Sequence, residues 1–550
     1  MPKRGSASVH NVEELTQLGD KLFGKRLSLL SMWQEVAENF YPERADFTVN
    51  RTLGDQFADN LTTSYPVLVR RDLGNSFSTM MRPSNLEWFH MGLKDEGKED
   101  HEGKEWLEYA TGVMRRAMYD RASMFTRASK EADHDMAAFG QSVKSIELNS
   151  LGNGLLYRCW HLRDCAWCEN AEGTIDTLHR KWKITARDMV GLFRDRVHHK
   201  VMECLTGKKP DPYREYECRH IVMPAEQWDE TLAKRYPFVS LYIDCDNKHL
   251  IEAVGQHSFK YVIPRWQTVS GSQYAFSPAT VCGLPDARLL QAMARTLLEA
   301  GEKAVSPPMI GVQQALRSDV AIYPAGITWV DAAYDERLGE VLRPLTQDKS
   351  GIPAGFNMQN DLMGLLREAF FLNALTLPQN GPEMTAYEVG QRVQEYIRQA
   401  SPIFEPLEDE DNGAVCEATF ELMMRAGAFG SVEDIPESIR GSDIAFRFES
   451  PLHDAVERKK GQTFMEAAAL IGQALPLDPT VSADVDVREA FRDVLSSIGV
   501  PAKWMRDEDE ADKRLAEMQA QQEAEQLLAQ LGQGADIAKT VGEAGRAMAA

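Results

Sequence analysis

Apolar residues recur at helical spacing through the first 140 positions, with Leu22, Leu29, Trp33, Val36 and Phe40 on one face. Tyr41-Pro42 ends that helix, because proline drives the residue before it toward extended backbone. The pattern predicts a second helix from Tyr65 to Met81, closed by Arg82-Pro83, and a short extended piece at Leu86 to Phe89. The charged run from Lys94 to Lys104 has no apolar face and reads as a solvated loop.

From Val143 to Pro264 the period shortens toward two. Val143 to Leu148, Leu155 to His161, Thr174 to Lys183, Phe238 to Asp244 and Phe259 to Ile263 read as strands. Gly152-Asn153-Gly154 and Asn170-Ala171-Glu172-Gly173 supply hairpin turns between them, so this block is expected to be an antiparallel β-rich domain.

Beyond Pro285 the helical period returns. Leu289, Leu290, Met293, Leu297 and Leu298 share one side until Ser306-Pro307-Pro308, a span of about 30 Å at about 1.5 Å per residue. Met309 to Pro353 mixes short strands and turns. A returning helix is expected near Asn357, with Leu362, Leu365, Leu366, Ala369 and Phe370 on one stripe, ending before the proline-bounded Leu377 to Pro382. Thr385-Ala386-Tyr387-Glu388 has capping-box spacing and opens a long helix. Ser401-Pro402 and Glu405-Pro406 must kink or interrupt it. Helices follow at Asp454 to Leu475 and Val485 to Ser497, and from Arg506 the acidic, sparsely apolar sequence reads as a helical tail that needs neighbours for stability.

With 550 residues, 43% of them hydrophobic, the chain has material for two to four domains. No stretch of about 18 uncharged apolar residues occurs, which predicts a protein neither secreted nor membrane-spanning. The eight cysteines lie between Cys159 and Cys416 without the dense pairing of an extracellular scaffold, so a reducing cytosol fits. A net charge of −22 argues against gripping nucleic acid over the whole surface. Arg180 to Arg219 is the exception, with eleven Lys/Arg against six Asp/Glu around His198-His199. That run could touch DNA or an acidic partner, although such runs are more often solvated faces; Trp160, Trp167 and Trp182 read as β-core.

The common catalytic signatures are missing. Each Gly-Lys pair continues with Arg, Glu, Glu or Lys, so there is no phosphate-binding P-loop, and neither His-Glu-x-x-His nor Gly-x-Ser-x-Gly occurs. No catalytic residue and no cofactor are assigned, and the chain is not expected to be an enzyme. Cys159, His161, Cys165 and Cys168 are the best metal candidates, but they fall on what reads as one hairpin with diverging side chains, so no metal is assigned.

Several landmarks occur in a fixed order. Tyr41-Pro42 follows Trp33, and Arg82-Pro83 precedes Trp88-Phe89. Gly271 to Pro278 leads into the Leu284 helix and Pro307-Pro308. Thr385-Ala386-Tyr387-Glu388-Val389, with Arg392 and Glu395, is similar to a Thr-Ala-Thr-Glu-Val segment, Tyr387 being the departure. Ser450-Pro451-Leu452 and Gly499-Val500-Pro501 with Arg506 close the series. In this order they resemble the portal, or head-to-tail connector, family of short-tailed, podovirus-type bacteriophages.

The resemblance implies an α+β, predominantly helical portal fold assembled as a ring, a dodecamer. It implies a wing (1–283, with its β-rich domain at about 143–264), a first stem helix (284–305), a clip (306–355) and a second stem helix (356–376). A tunnel loop (377–384), a long kinked helix and wing return (385–450), a crown (451–505) and an acidic helical tail (506–550) complete it. Pro378, Gln379, Asn380, Gly381, Pro382 and Glu383 would face double-stranded DNA, and Arg317, Tyr323, Trp329 and Arg343 would dock partners at the clip. The implied partners are further copies of the chain, major capsid and scaffolding proteins, terminase and tail adaptor or nozzle proteins, with no membrane. The implied location is the portal vertex of the virion, after assembly in the host cytoplasm. Glu408 to Asp411 and Asp507 to Glu510 would then be acidic surface that repels phosphate. The rival reading is a monomeric structural adaptor of the virion.

Overall fold

In the computed structural model the described residues are 12–311 apart from 53, 56, 57, 59, 60, 85, 95–99, 150, 208 and 306, together with 329, 331, 342–344, 351–373, 398, 399, 402, 404–448, 463–473, 486–497, 500, 502–506 and 510–521. They divide into two compact units, one drawn from 1–88 and 115–426, the other from 89–114 and 427–550. Helices and antiparallel sheets occur in both, giving a mixed α+β chain.

The larger unit opens with α1 (Val12–Lys25), α2 (Leu27–Phe40) and α3 (Tyr65–Met81). The predicted face of α2 is the buried one, with Trp33, Val36, Ala37 and Phe40 fully enclosed, and α3 buries Val69, Leu73, Phe77 and Met81 at four-residue spacing. Both helices stop where the prolines require.

The smaller unit contains β1 (Phe89–Leu93) and most of α4 (His101–Met118). The helix starts inside the charged run expected to be a loop. Asp100 explains this: its carboxylate accepts the Gly103 N–H at 2.8 Å, capping a turn that the apolar positions Leu107, Ala110 and Met114 then continue. β1 pairs over its whole length with Ile444–Phe448, more than 300 residues away, so the segment 89–114 belongs with the C-terminal part of the chain and not with the N-terminal region it follows.

In the larger unit α5 (Phe125–Phe139) precedes β2 (Val143–Leu148), β3 (Leu155–Trp160), β4 (Cys165–Glu169) and β5 (Ile175–Thr185). Next come α6 (Ala186–Phe193), α7 (His199–Thr206), β6 (Glu215–Pro224), α8 (Glu230–Ala233), β7 (Phe238–Asp244), β8 (His249–Gln256) and β9 (Tyr261–Val262). The strands form two antiparallel sheets, ordered β3-β2-β9 and β4-β5-β6-β7-β8. One face of the five-stranded sheet is covered by α6 and α7 through Met189, Phe193 and Val201, and Leu15 of α1 packs with Ile221, Leu241 and Ile243 on the other.

The basic run is therefore not one solvated face. Arg219 points from β6 to α1, donating to the Thr16 carbonyl at 2.6 Å and to Asp20 at 2.8 Å, and is 2% exposed. Arg180 lies on the opposite face, bonded to the Tyr261 hydroxyl at 3.0 Å and sandwiched by Trp160 and Trp182. His198 caps α7 by accepting the Lys200 N–H.

Two histidines in this sheet tie stability to pH. Burial, helped by Arg219, pushes His179 down to about 3, and burial pushes His220 well below the ordinary range. Both are neutral when folded, whereas the unfolded chain takes up their protons below about pH 6.5. Stability held above that pH is lost as pH falls from about 6.5, with His179 alone contributing a slope of about 1.4 kcal/mol per unit. The urea midpoint is expected to drop measurably between pH 7 and 5, before ordinary carboxylates titrate; a flat profile over that window would contradict it.

Candidate functional site

Two helices carry the region where function was expected. α9 (Leu284–Val305) follows a π-helical turn at Ala279–Gly283, and α10 (Gly351–Ala369) packs against it. Leu297, late in α9, touches Gly355, early in α10, whereas Gly283 at the start of α9 lies under Phe370 at the end of α10, so the pair is antiparallel. The short strands β10 (Met309–Gly311) and β11 (Leu342–Pro344) pair antiparallel between them. α10 starts at Gly351, earlier than expected near Asn357, and ends at Ala369. Its end is set by a Schellman closure, in which the Phe371 N–H bonds the Glu368 carbonyl and the Leu372 N–H bonds that of Arg367. Phe371 takes the left-handed conformation at φ 57°, usually glycine's place, with its ring 6.0 Å from that of Trp266.

The pair buries only part of its apolar surface. Leu290, Leu366 and Phe370 are fully enclosed, but Leu289, Leu298, Phe356, Met358 and Leu365 are each about half exposed or more. The stripe predicted for α10 is thus split, Leu362 and Leu366 facing inward and Leu365 outward. Gln291 fixes α9 to the start of α3, its side chain accepting from the Thr62 and Thr63 N–H groups and donating to the Thr63 carbonyl at 2.8 Å. The Tyr65 hydroxyl donates to the Met363 carbonyl at 3.0 Å.

A buried ionic cluster lies nearby in the same unit. Residues 404–407 are helical and run through a π-helical turn at Glu408–Gly413 into α11 (Ala414–Arg425). Arg82 reaches Asp411 and Asn412 at 2.8 Å each with one nitrogen and Asp133 with the other, and Lys144 binds the second Asp411 oxygen. Burial alone would raise the Asp411 carboxyl, but Lys144 and Arg82 outweigh it and hold it below the usual range. Burial keeps the Asp133 carboxyl raised in spite of Arg82. Two cations and two carboxylates make the cluster neutral, which is the condition for burying them.

The acidic run at 408–411 is consequently surface only in part: Asp409 is exposed, whereas Asp411 is 4% exposed and Glu410 accepts the Arg265 N–H at 2.7 Å. Helix also continues through Glu405-Pro406, and the irregularity demanded by proline is absorbed one turn later as the π-turn. Sequence reasoning missed this cluster because Lys144 and Asp411 are 267 positions apart.

The other expected residues are dispersed. Cys159 faces Asp135, the His161 ring bonds Asp46 at 2.6 Å, Cys165 is buried and Cys168 donates to the Glu169 carbonyl. Among the described residues no group of three His, Cys, Asp or Glu side chains is placed to hold a metal ion. Pro378, Gln379, Asn380, Gly381, Pro382 and Glu383, the capping box at 385–388, Arg317 and Tyr323 lie outside the described residues. Trp329 is 67% exposed, and the Arg343 backbone pairs with Ile310. No described helix is long and apolar enough to cross a membrane.

Comparison with known proteins turns these placements into a family assignment. The model for "Bacteriophage head to tail connecting protein" matches residues 12–505. The chain belongs to that family. A "Probable portal protein" of Bordetella phage BPP-1 is 24% identical over 539 residues, covering 94% of this chain and 93% of its own length. The "Portal protein" of Salmonella phage epsilon15 is 20% identical over 545 residues, covering 96% and 95%. The connector family member thus aligns with both across both compact units.

Proposed function

We propose that the chain is the subunit of a phage portal, a closed ring at one capsid vertex through which double-stranded DNA is packaged and ejected. The observation that carries this reading is the near end-to-end alignment with two phage portal proteins, added to the family match over residues 12–505. The half-exposed Leu289, Leu298, Phe356 and Leu365 support it, because an isolated subunit leaves apolar surface on α9 and α10 that neighbouring copies would cover.

In this reading α9 and α10 are the stem, and the chain between them is the clip, with Arg317, Tyr323, Trp329 and Arg343 docking terminase and tail proteins. Residues 377–384 form the tunnel loop, with Pro378 to Glu383 nearest the duplex. Capsid and scaffolding proteins meet the outer part of the ring. About twelve chains at −22 each would carry roughly −260, a field that disfavours static phosphate binding in the bore. The channel conducts, and a separate ATPase supplies the work.

Negative-stain imaging with mass measurement of the purified full chain, made without other phage proteins, tests this. A closed ring with a central hole and about twelve subunits is expected. A homogeneous monomer at high concentration and physiological salt would overturn it in favour of a monomeric adaptor.

A further inference from the structure

A pocket of about 360 Å³ opens in the larger unit between the end of α3 and the start of α5. Neither the family match nor the portal reading gives it a role. Pro83 and the rings of Tyr119 and Phe125, set edge-on at 5.3 Å, supply its apolar wall. Its polar wall is made of donors: Arg82, the Tyr119 phenol and hydroxyls that include those of Ser78, Thr126 and Ser129. No side-chain carboxylate or amide lines it among the described residues.

These donors are not used up inside the protein. Arg82 is 6% exposed, and Asp411, Asn412 and Asp133 take three of the five N–H groups that a guanidinium carries. The others have no partner among the described residues. Ser129 is also 6% exposed, yet its hydroxyl makes no hydrogen bond to a described residue, and neither do those of Ser78 and Thr126. The Tyr119 oxygen accepts the Trp88 indole N–H at 3.0 Å, which leaves its own proton to donate. Burial raises the Tyr119 pKa and keeps that proton in place, while the Trp88 bond and the charges of Arg82 and Arg115 pull the other way, so both guanidiniums reach this corner. Arg115 is held beside the lining residue Ser84, donating to the Ser84 and Leu86 carbonyls at 3.1 and 3.0 Å, with Glu87 at 3.5 Å.

We propose that this pocket is an oxyanion site, one per subunit, that takes a phosphate or carboxylate group. An ionised oxyanion offers acceptors, which is what a wall of unspent donors needs; a neutral polar ligand would bring donors that find no side-chain carboxylate or amide. Behind Arg82 the two cations and two carboxylates of the buried cluster cancel, so the incoming charge meets no net repulsion. The bonds it receives from a guanidinium already held in place are charge-assisted and strong. Because Arg82 also ties Asp133 of α5 to Asp411, an occupied pocket braces α3, α5 and the turn at Asp411 together. All of this lies within one subunit and holds for a ring or a monomer alike.

Calorimetric titration of the full chain with sodium phosphate, and separately with sodium acetate, at fixed pH and ionic strength tests this. Saturable uptake of one ion per chain is expected. Uptake of phosphate alone identifies a phosphate group as the ligand, and uptake of acetate alone identifies a carboxylate; saturable uptake of neither would overturn the proposal. Replacing Ser78→Ala and Ser129→Ala together removes two donors and leaves the ionic cluster untouched. Affinity is then expected to fall at least about tenfold, and an unchanged affinity would overturn the assignment to this pocket. If that variant does not fold, amide exchange of the wild type decides. Phosphate or acetate at about ten times its dissociation constant is expected to slow exchange in 78–84 and 125–129 about tenfold and to leave α7 unchanged. No slowing there, or equal slowing throughout, would overturn the site.

Discussion

Replacing Arg82 with methionine is expected to lower the stability of the larger unit by about 3–5 kcal/mol, because removing one partner of a buried ion cluster leaves uncompensated charge. Asp133 would lose its Arg82 partner, and Asp411 would keep only Lys144. The double variant Arg82→Met with Asp133→Leu leaves Lys144 and Asp411 as a balanced pair, and should recover most of the loss. Urea unfolding monitored at constant slope measures both; a double variant as unstable as the sum of the single ones would show that charge balance is not what holds the site. A pH dependence separates the causes further. Burial already raises the Asp133 carboxyl, and without Arg82 its neutral form becomes still more favoured in the folded state. A group with a raised folded pKa stabilises as pH falls, so the Arg82→Met deficit should shrink between pH 7 and 5.

That cluster also marks the boundary of what a linear reading reaches. β2, β7, α3 and the start and end of α9 follow from periodicity and proline placement, because a strand or helix face repeats over neighbouring residues. β6 was hidden because its residues Arg219 and His220 look like surface groups; they are buried only because Asp20, Ser240 and Tyr261 receive them from other elements. The pairing of β1 with Ile444–Phe448 was equally invisible, since nothing in Phe89 to Leu93 specifies which distant edge it joins. The order of prolines and aromatic landmarks was enough for the family, whereas the π-turns were not legible, since the first depends on contacts from α2 and α5 and the second on contacts from α3 and β2. Local pattern sets the elements; long-range compensation decides which charges they can bury.

Gly140→Ala is expected to cost about 3 kcal/mol, the sum of about 1–2 for a side chain in the left-handed region and a similar amount for overlap. Gly140 closes α5 at φ 75°, with its N–H on the Met136 carbonyl and its own carbonyl accepting from the Trp266 N–H at 2.9 Å. A methyl there would run into the Phe276 carbonyl group, which is backbone and cannot rotate aside. Gly152, at φ 71°, has no atom within 4 Å of the same added carbon. Gly152→Ala therefore bears the conformational cost alone, about 1–2 kcal/mol. The difference between the two variants measures the clash. It should be accompanied by faster amide exchange at Ser277 to Val281, because the Phe276 segment leads directly into the first π-turn and Ser277 hangs from the Ala138 carbonyl beside Gly140. Equal losses from the two alanines would mean that the 276–277 backbone yields freely, and that the close crossing at Gly140 does not fix where α9 begins.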